Sequence, residues 1–209
     1  MDLEERIIEA SIQMLKLGHN IGSEGNVSCK KNNIIFISPS GIKTSDLKKK
    51  DISKVDLNGK VLNNVKPSSE ILLHLLIYRN FENIKAVVHC HSNWASTLSC
   101  MRKNIPAFHY MVAEFGGRDI KCSKYATFGS EKLSKYVNKA LVDRKGCLIA
   151  NHGQITIGES LEEAIDLSIA LEKLSQQYFF CRMSKEVKIL SDCEMKIIKD
   201  LFKNYKVKH

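Results

Sequence analysis

The sequence predicts a mixed α/β fold in which helices cover a central sheet. Three observations predict it: apolar residues recur at helical spacing in several long segments, short apolar runs bounded by turn residues lie between them, and the two kinds of segment alternate. The chain has 209 residues, of which 44% are hydrophobic and 26% charged, enough for a substantial core. We expect one domain spanning residues 1–209.

The N-terminal elements are predicted from periodicity and turn residues. Apolar residues at helical spacing predict a first helix over residues 3–17, closed by Gly18. Residues 20–28 contain too many glycines for regular structure, and the apolar run 34–37 predicts a strand. An Asn-Gly pair between apolar residues in the segment 55–62 predicts a β-hairpin.

The remaining elements alternate between helix and strand. A helix is predicted to open at Ser68 and to run to about Tyr78, which places Glu70 in its first turn. The later predicted elements are a strand at 85–90, a helix at 93–101, a helix at 130–143, strands at 147–150 and 154–157, a long helix after Ser160 and a last helix from Ser191.

Composition and charge argue against several classes of protein. The apolar runs are too short for a membrane span and the acidic N-terminus lacks the basic region of a signal peptide, so we expect a cytoplasmic protein that binds no membrane. The net charge is +9, but most cations are scattered lysines without interleaved aromatics, which favours a solvated lysine-rich surface over a nucleic-acid site. A local positive field is still compatible with a small anionic substrate. Seven dispersed cysteines without a Cys-x-x-Cys pair argue against disulfides and a thiolate zinc cluster.

Two histidines separated by one residue indicate a metal site. In an extended strand, residues i and i+2 share a face, so His89 and His91 can bind one ion while Cys90 points into the core. His152 and Glu70, each beside small turn-forming residues, offer a third imidazole and a carboxylate. Three imidazoles suit zinc and leave a fourth position for water or substrate. The histidine pair alone would also fit a half-buried strand without a metal.

Three short segments have the composition of an anion site. Backbone amides freed by glycines, together with hydroxyls at a helix N-terminus, bind phosphate well. Each segment alone is better explained by an ordinary turn or a helix cap, and only their position beside the candidate metal ligands favours an anion site. The three segments are Gly25-Asn26, Ser40-Gly41 and Ser68-Ser69.

The order of these motifs resembles that of the class II aldolase/adducin superfamily, and the chain is similar to its L-fuculose-1-phosphate aldolase branch over almost its full length. The motifs that carry the resemblance are Gly25-Asn26-Val27-Ser28, Ser38-Pro39-Ser40-Gly41, Ser68-Ser69-Glu70, His89-Cys90-His91 and Asn151-His152-Gly153. Further matches are residues 105–111, 125–129 and 202–205.

The resemblance implies a three-layer α-β-α fold with a mostly antiparallel central sheet. It implies one Zn²⁺ per subunit, bound by His89, His91 and His152, with Glu70 as the catalytic acid/base that also ligates the metal when substrate is absent. Tyr110 and Tyr205 would reach the active site of a neighbouring subunit in a homotetramer with sites at the interfaces. The substrate phosphate would be held by Asn26, Ser40, Gly41, Ser68 and Ser69.

The implied reaction is reversible cleavage of a deoxyketose 1-phosphate, of the L-fuculose 1-phosphate type, to dihydroxyacetone phosphate and a small aldehyde such as L-lactaldehyde. Zinc would act as a Lewis acid, Glu70 would move the proton at carbon, and Tyr110 would handle the proton on the aldehyde-side oxygen. Three alternatives are open: an aldolase for 5-deoxyribulose or methylthioribulose 1-phosphate, a pentulose-phosphate 4-epimerase, and a non-catalytic adducin-like module. The epimerases typically carry aspartate where Glu70 stands.

Two further residues near the motifs have open roles. His74, one helical turn after Glu70, can orient that carboxylate, pack in the core or act as a ligand, and the packed or supporting role is favoured over the ligand. Glu24 lies beside the expected phosphate loop, where the resemblance leads us to expect a small or neutral residue. Its negative charge leaves the phosphate contacts near it unassigned.

Overall fold

A six-stranded antiparallel sheet forms the centre of the computed structural model, which describes residues 2–184 and 186–205 and side chains up to residue 202. The strands are β1 (Asn26–Lys31), β2 (Ile34–Ile37), β3 (Ser53–Asp56), β4 (Ala86–Cys90), β5 (Ile105–Pro106), β6 (Asp119–Ile120), β7 (Gly146–Ile149) and β8 (Gly153–Gly158). The sheet order is β3-β2-β1-β4-β8-β7, and all its neighbouring strands are antiparallel. Strands β5 and β6 pair separately.

Helices cover both faces of the sheet. They are α1 (Leu3–Lys16), α2 (Ile71–Asn80), α3 (Asn93–Ser99), α4 (Glu131–Leu141), α5 (Leu161–Met183) and α6 (Asp192–Tyr205). Helices α2 and α4 bury their apolar residues against one face, whereas α1 and α5 pack on the other. The predicted three-layer α-β-α architecture is confirmed. No helix among the described residues is long and apolar enough to cross a membrane.

Most predicted elements are confirmed within one or two residues. Helix α1 ends where Gly18 adopts a positive φ of 71°, as the C-cap prediction requires. The Asn58-Gly59 turn forms, with Gly59 at φ 91°, but the second arm of the predicted hairpin is reduced to one bridge, between Val55 and Val61.

Strand β1 corrects the prediction of an irregular segment over residues 20–28. The segment becomes regular at Asn26 because β1 is hydrogen-bonded on both sides, to β2 and to β4. Its polar composition gave no strand signal, and the pairing with two neighbouring strands overrides local propensity. Asn26 and Ser28, two positions apart on β1, consequently share one face of the sheet.

Glu70 also lies differently from the prediction. Helix α2 begins at Ile71, and Glu70 is the residue that precedes its first turn, with φ −99° and ψ 16°. Its backbone N–H donates to the Ser68 hydroxyl at 3.2 Å. This non-helical backbone directs the Glu70 side chain into the protein, where only 5% of the residue is exposed.

Candidate metal centre

Strand β4 places His89 at the centre of the site. His89 is fully buried and lies opposite Asn26 of β1 in the strand register. Its Nδ1 lies 2.7 Å from the Gln154 carbonyl of β8, an acceptor, so Nδ1 carries the proton and Nε2 presents its lone pair in the neutral ring. Cys90 points to the opposite face, with Sγ 3.2 Å from the Ser168 hydroxyl of α5, as predicted.

Two further imidazoles converge on His89 from chain segments that follow strands. His91 lies just beyond the end of β4, and His152 lies in the turn between β7 and β8. The three ring centroids are 4.8 to 4.9 Å apart. Together with Glu70, the rings offer four ligand atoms that all lie within 4.8 Å of one another. The structure thus brings together the four residues that the sequence offers as metal ligands.

The chemistry of these four residues fits a bound divalent metal ion. The Oε1 atom of Glu70 is buried without a hydrogen-bond partner, and a cation would satisfy it. Burial, reinforced by His89, lowers the pKa of His91 to about 3 and that of His152 to about 4, so both rings are neutral ligands near neutral pH. Three nitrogen donors and one carboxylate are a set that zinc commonly accepts in proteins.

Glu70 is held as a carboxylate. Burial alone would raise its pKa, but the charge and hydrogen bond of a protonated His89, together with the hydrogen bond from Asn26, lower it below the usual value. The Glu70 Oε2 atom lies 2.9 Å from His89 Nε2 and 3.1 Å from Asn26 Nδ2. Burial has the opposite effect on the imidazole of His89, whose pKa it would lower. The Glu70 carboxylate outweighs burial, so the pKa of His89 is raised.

A cleft of about 520 Å³ opens above these ligands. Glu70, His91 and His152 line its floor, while His89 lies buried behind them. The cleft is also lined by every residue predicted to hold phosphate, namely Asn26, Ser40, Gly41, Ser68 and Ser69. Gly41 has a positive φ of 77°, a conformation that a side chain would strain. The structure therefore places the metal ligands and the candidate anion segments around one space.

Several cleft residues received no role from the sequence. One wall is formed by the segment 125–128, in which the rings of Tyr125 and Phe128 are 52% and 66% exposed. This segment matched a family motif, and that match was the only signal for it. Glu24 also lines the cleft, and its Oε2 lies 3.8 Å from His91 Nδ1, which is too long for a hydrogen bond.

The two predicted tyrosines do not line this cleft among the described side chains. Tyr110 is 51% exposed and stacks on His109 and on Phe202 of α6. Tyr205 is the last residue of α6, and its side chain lies outside the described ones. Tyr110 is consequently exposed and does not line the cleft of its own chain.

His74 is fully buried on α2 and contacts the residues that surround Glu70. Its Nε2 bonds Asn26 Oδ1, and its Nδ1 lies 2.7 Å from the Ser28 hydroxyl. Burial lowers the pKa of His74 to about 3. Because Asn26 in turn donates to Glu70, His74 reaches that carboxylate through one intervening side chain.

Comparison with known proteins agrees with the geometry of the site. Residues 5–179 match the model of the class II aldolase and adducin N-terminal domain. The chain is 40% identical to a 5-methylthioribulose-1-phosphate/5-deoxyribulose-1-phosphate aldolase of Rhodospirillum rubrum, over 97% of this chain and 92% of that one. It is 38% identical to an L-fuculose phosphate aldolase of Escherichia coli K12, over 97% and 95% of the two chains.

The solved structures show the same fold. The chain superposes on a structure of an L-fuculose 1-phosphate aldolase with a TM-score of 0.93 and 32% identity, covering 97% of this chain and 96% of that one. The central sheet and the helical layers are thus those of a known group of enzymes. The chain belongs to the class II aldolase and adducin family, and within it to the aldolases, which are carbon–carbon lyases.

Proposed function

We propose that this chain is a zinc-dependent aldolase that reversibly cleaves a deoxyketose 1-phosphate of the L-fuculose 1-phosphate type, giving dihydroxyacetone phosphate and a small aldehyde such as L-lactaldehyde. One observation carries the proposal. Three histidines and a buried carboxylate meet at a cleft whose lining includes amides and hydroxyls suited to phosphate.

His89, His91 and His152 would hold the zinc ion, with Glu70 able to provide a fourth ligand atom. When bound, the ion supplies Lewis acidity towards the negative charge that cleavage leaves on the ketose fragment. The burial of His89 and the hydrogen bond from its Nδ1 to Gln154 fix the ring orientation, so its Nε2 points to the shared centre.

Glu70 would move the proton at the carbon where the bond is broken. Its Oε2 atom accepts a hydrogen bond from Asn26, whereas Oε1 has no hydrogen-bond partner and lies 3.7 Å from His152 Nε2 at the shared centre. In condensation the Glu70 carboxylate would remove a proton from the ketose-derived carbon. In cleavage Glu70 would return a proton to that carbon, balanced by the proton that leaves the substrate hydroxyl as the bond breaks. Oε1 is the atom that we assign to this transfer.

The substrate phosphate would bind at the rim of the cleft. Ser68 and Ser69 precede α2, so their hydroxyls and the first N–H groups of that helix can approach an anion together. Ser40 and Gly41 face them from the loop after β2. Binding of the phosphate by these residues would hold the reacting carbon in place beside the metal ligands and Glu70. Asn26 would contribute its remaining hydrogen-bonding capacity.

Tyr110 would act on a neighbouring subunit, and we propose a homotetramer with active sites at the interfaces. The support is positional, because the exposed Tyr110 ring lies outside its own cleft and is backed by Phe202 of α6. There it would handle the proton on the aldehyde-side oxygen. The same role for Tyr205 stays a prediction.

A second substrate deserves equal testing, namely 5-methylthioribulose or 5-deoxyribulose 1-phosphate. Relatives with both kinds of name align with nearly the whole chain, at 40% and 38% identity. The exposed rings of Tyr125 and Phe128 at the cleft wall would accept an apolar aldehyde tail. The phosphate and metal ends of the site would be used identically by both substrates.

The decisive experiment assays the purified protein against a panel of ketose 1-phosphates, with a pentulose 5-phosphate as the epimerase control. We expect release of dihydroxyacetone phosphate, loss of activity with a chelator, and recovery on adding zinc. Parallel additions of cobalt and manganese rank the metals. Cleavage that is insensitive to chelation would refute the metal mechanism, and epimerised pentulose without free fragments would establish the 4-epimerase instead.

A further inference from the structure

A chain of five polar side chains runs from Glu70 into the protein, away from the cleft. In order they are Glu70, Asn26, His74, Ser28 and Tyr78, and none is more than 5% exposed. The hydroxyls of Tyr78 and Ser28 are 2.8 Å apart, Ser28 Oγ is 2.7 Å from His74 Nδ1, and Asn26 Nδ2 is 3.1 Å from Glu70 Oε2. The fourth link joins His74 Nε2 to Asn26 Oδ1.

Two secondary-structure elements build this chain by simple periodicity. Glu70, His74 and Tyr78 are spaced four residues apart, which places them along one stripe of α2 and its preceding residue. Asn26 and Ser28 are two residues apart on β1 and therefore face α2 from the sheet. The five residues alternate between the two elements, so each hydrogen bond joins a side chain of β1 to a side chain of α2 or of Glu70.

The carboxylate of Glu70 fixes the direction of every hydrogen bond in the chain. A carboxylate only accepts, so Asn26 must present its Nδ2 group to Glu70 and its Oδ1 to His74. His74 Nε2 must then carry the proton, and Nδ1 must accept from Ser28. Ser28 in turn accepts from the Tyr78 hydroxyl. All of these groups are satisfied by one arrangement.

The opposite direction is disfavoured at the far end. If the bonds ran the other way, the Tyr78 hydroxyl would need another acceptor, and among the described residues its only hydrogen-bond partner is Ser28. A buried hydroxyl without an acceptor costs about 1–3 kcal/mol. Burial keeps the His74 ring neutral, so one ring nitrogen donates and the other accepts, and its two hydrogen bonds run in the same direction. Tyr78 therefore locks the orientation of the Asn26 amide.

We propose that His74 is a positioning residue for the proton transfer at Glu70, acting through Asn26. By holding the Asn26 amide with Nδ2 towards the carboxylate, His74 keeps Glu70 Oε2 occupied and leaves Oε1 for the substrate. Without the imidazole, the amide is free to rotate and to present Oδ1, which the carboxylate repels. This inference rests on the proposed aldolase function.

The test uses the zinc-loaded enzyme and a half-reaction that depends on Glu70. Dihydroxyacetone phosphate is incubated in deuterated water without an aldehyde, and loss of its exchangeable C–H signal is followed by NMR. The variants are His74→Leu, which removes both nitrogens, and His74→Gln, whose amide N–H group replaces the Nε2 donor. Asn80→Ala, which breaks the Asn80–Asn138 hydrogen bond at the other end of α2, is the matched control.

We expect His74→Leu to slow both the exchange and kcat at least about tenfold, with KM for the ketose phosphate within about threefold and zinc content unchanged. His74→Gln should recover most of the rate, and Asn80→Ala should retain it. If His74→Leu does not fold, Ser28→Ala decides the question by removing the link at Nδ1, and we expect a several-fold loss of exchange.

Equal exchange in folded, zinc-loaded His74→Leu and wild type would overturn the positioning role. His74→Gln that is no better than His74→Leu would do the same, because it would reduce His74 to a packing residue. Failure of the proposed function is distinguishable, since wild-type protein would then neither exchange dihydroxyacetone phosphate nor cleave any ketose phosphate.

Discussion

The Glu172 carboxylate of α5 accepts a hydrogen bond of 2.6 Å from the hydroxyl of Ser92, the residue that follows the candidate ligand His91. Glu172 also accepts the backbone N–H groups of Trp94 and Ala95 at 2.9 Å each. A carboxylate from a distant helix thereby caps the N-terminus of α3. This cap fixes the chain segment that presents His91 to the metal centre.

Loss of this cap should destabilise the protein. Glu172→Ala leaves the first N–H groups of α3 and the Ser92 hydroxyl without their acceptor, and we expect the free energy of unfolding to fall by about 1–3 kcal/mol. Urea denaturation measures the change. Glu162 lies on the same helix, α5, and forms a surface ion pair with Arg6 of α1. Glu162→Ala is therefore the control and should cost less than about 1 kcal/mol. Equal losses in the two variants would contradict the capping role.

Replacing the proposed acid/base should stop turnover without unfolding the protein. Glu70→Gln keeps the shape of the side chain but cannot carry the proton, so kcat should fall by about 10²–10⁴. Zinc content and circular dichroism should stay close to wild type, because three imidazoles remain as ligands. Turnover of Glu70→Gln within about tenfold of wild type would exclude Glu70 as the acid/base.

Removing the negative charge of Glu24 should improve binding of a phosphorylated substrate. The carboxylate lines the cleft with its side chain 49% exposed, where it repels an incoming phosphate. Glu24→Gln and Glu24→Ala should both lower KM for the ketose phosphate, by about two- to fivefold at low salt, with little change in kcat. Steady-state kinetics at two salt concentrations checks this. A rise in KM would instead show that Glu24 helps to bind substrate.

Gly25 should be needed for metal binding, whereas Gly18 should not. Both have positive φ, 66° and 71°, so alanine strains each backbone by about 1 kcal/mol. Only at Gly25 would the added Cβ strike the Asn20 side chain, whose Oδ1 accepts the His91 backbone N–H at 3.1 Å. We expect Gly25→Ala to weaken zinc affinity about tenfold or more in a chelator competition and Gly18→Ala to leave it unchanged. Equal affinities would refute the link through Asn20.

The buried His74 should make stability depend on pH. Its pKa is about 3 when folded against an ordinary value of 6.5, so the unfolded chain binds a proton that the folded chain excludes. The contribution of His74 leaves the free energy of unfolding unchanged above about pH 6.5. As the pH falls from there towards 3, proton uptake by the unfolded chain lowers the free energy of unfolding by about 1.4 kcal/mol per pH unit. His91 and His152 act in the same direction.

His74→Gln isolates the contribution of His74. Urea denaturation between about pH 6.5 and 4.5, with chelator present, should show a slope smaller by nearly one proton in the variant than in wild type. The slope is informative even where the variant is less stable at every pH. Identical slopes would mean that His74 is protonated in both states or in neither.

The sequence predicted the elements with strong local signals. Helix α1 and the strands β2, β4 and β8 have clear apolar patterns, and the structure confirms them. The convergence of His89 with His91 followed from strand geometry. The meeting with Glu70 and His152, which are distant in sequence, was implied by the order of the family motifs. The assignment of residues 1–209 to one domain stays a prediction.

What the sequence missed depends on contacts between distant segments. Strand β1 has a polar composition, and only its pairing with β2 and β4 makes it a strand. Because that strand was missed, the positions of Asn26 and Ser28 opposite His74 were also hidden. The cap on α3 from Glu172 was equally invisible, since the two segments lie about eighty residues apart.

The pairing of β4 on both edges makes the metal chemistry sensitive to chain length. Within β4, His89 faces α2 while Cys90 faces α5, and hydrogen bonds to β1 and β8 hold this alternation. A single-residue deletion ahead of His89 would invert it, turning a thiol towards the ligands and an imidazole into the apolar layer. Only insertions or deletions in even numbers preserve which donor atoms meet the ion. Genetic variation in this strand is therefore restricted by parity as well as by side-chain identity.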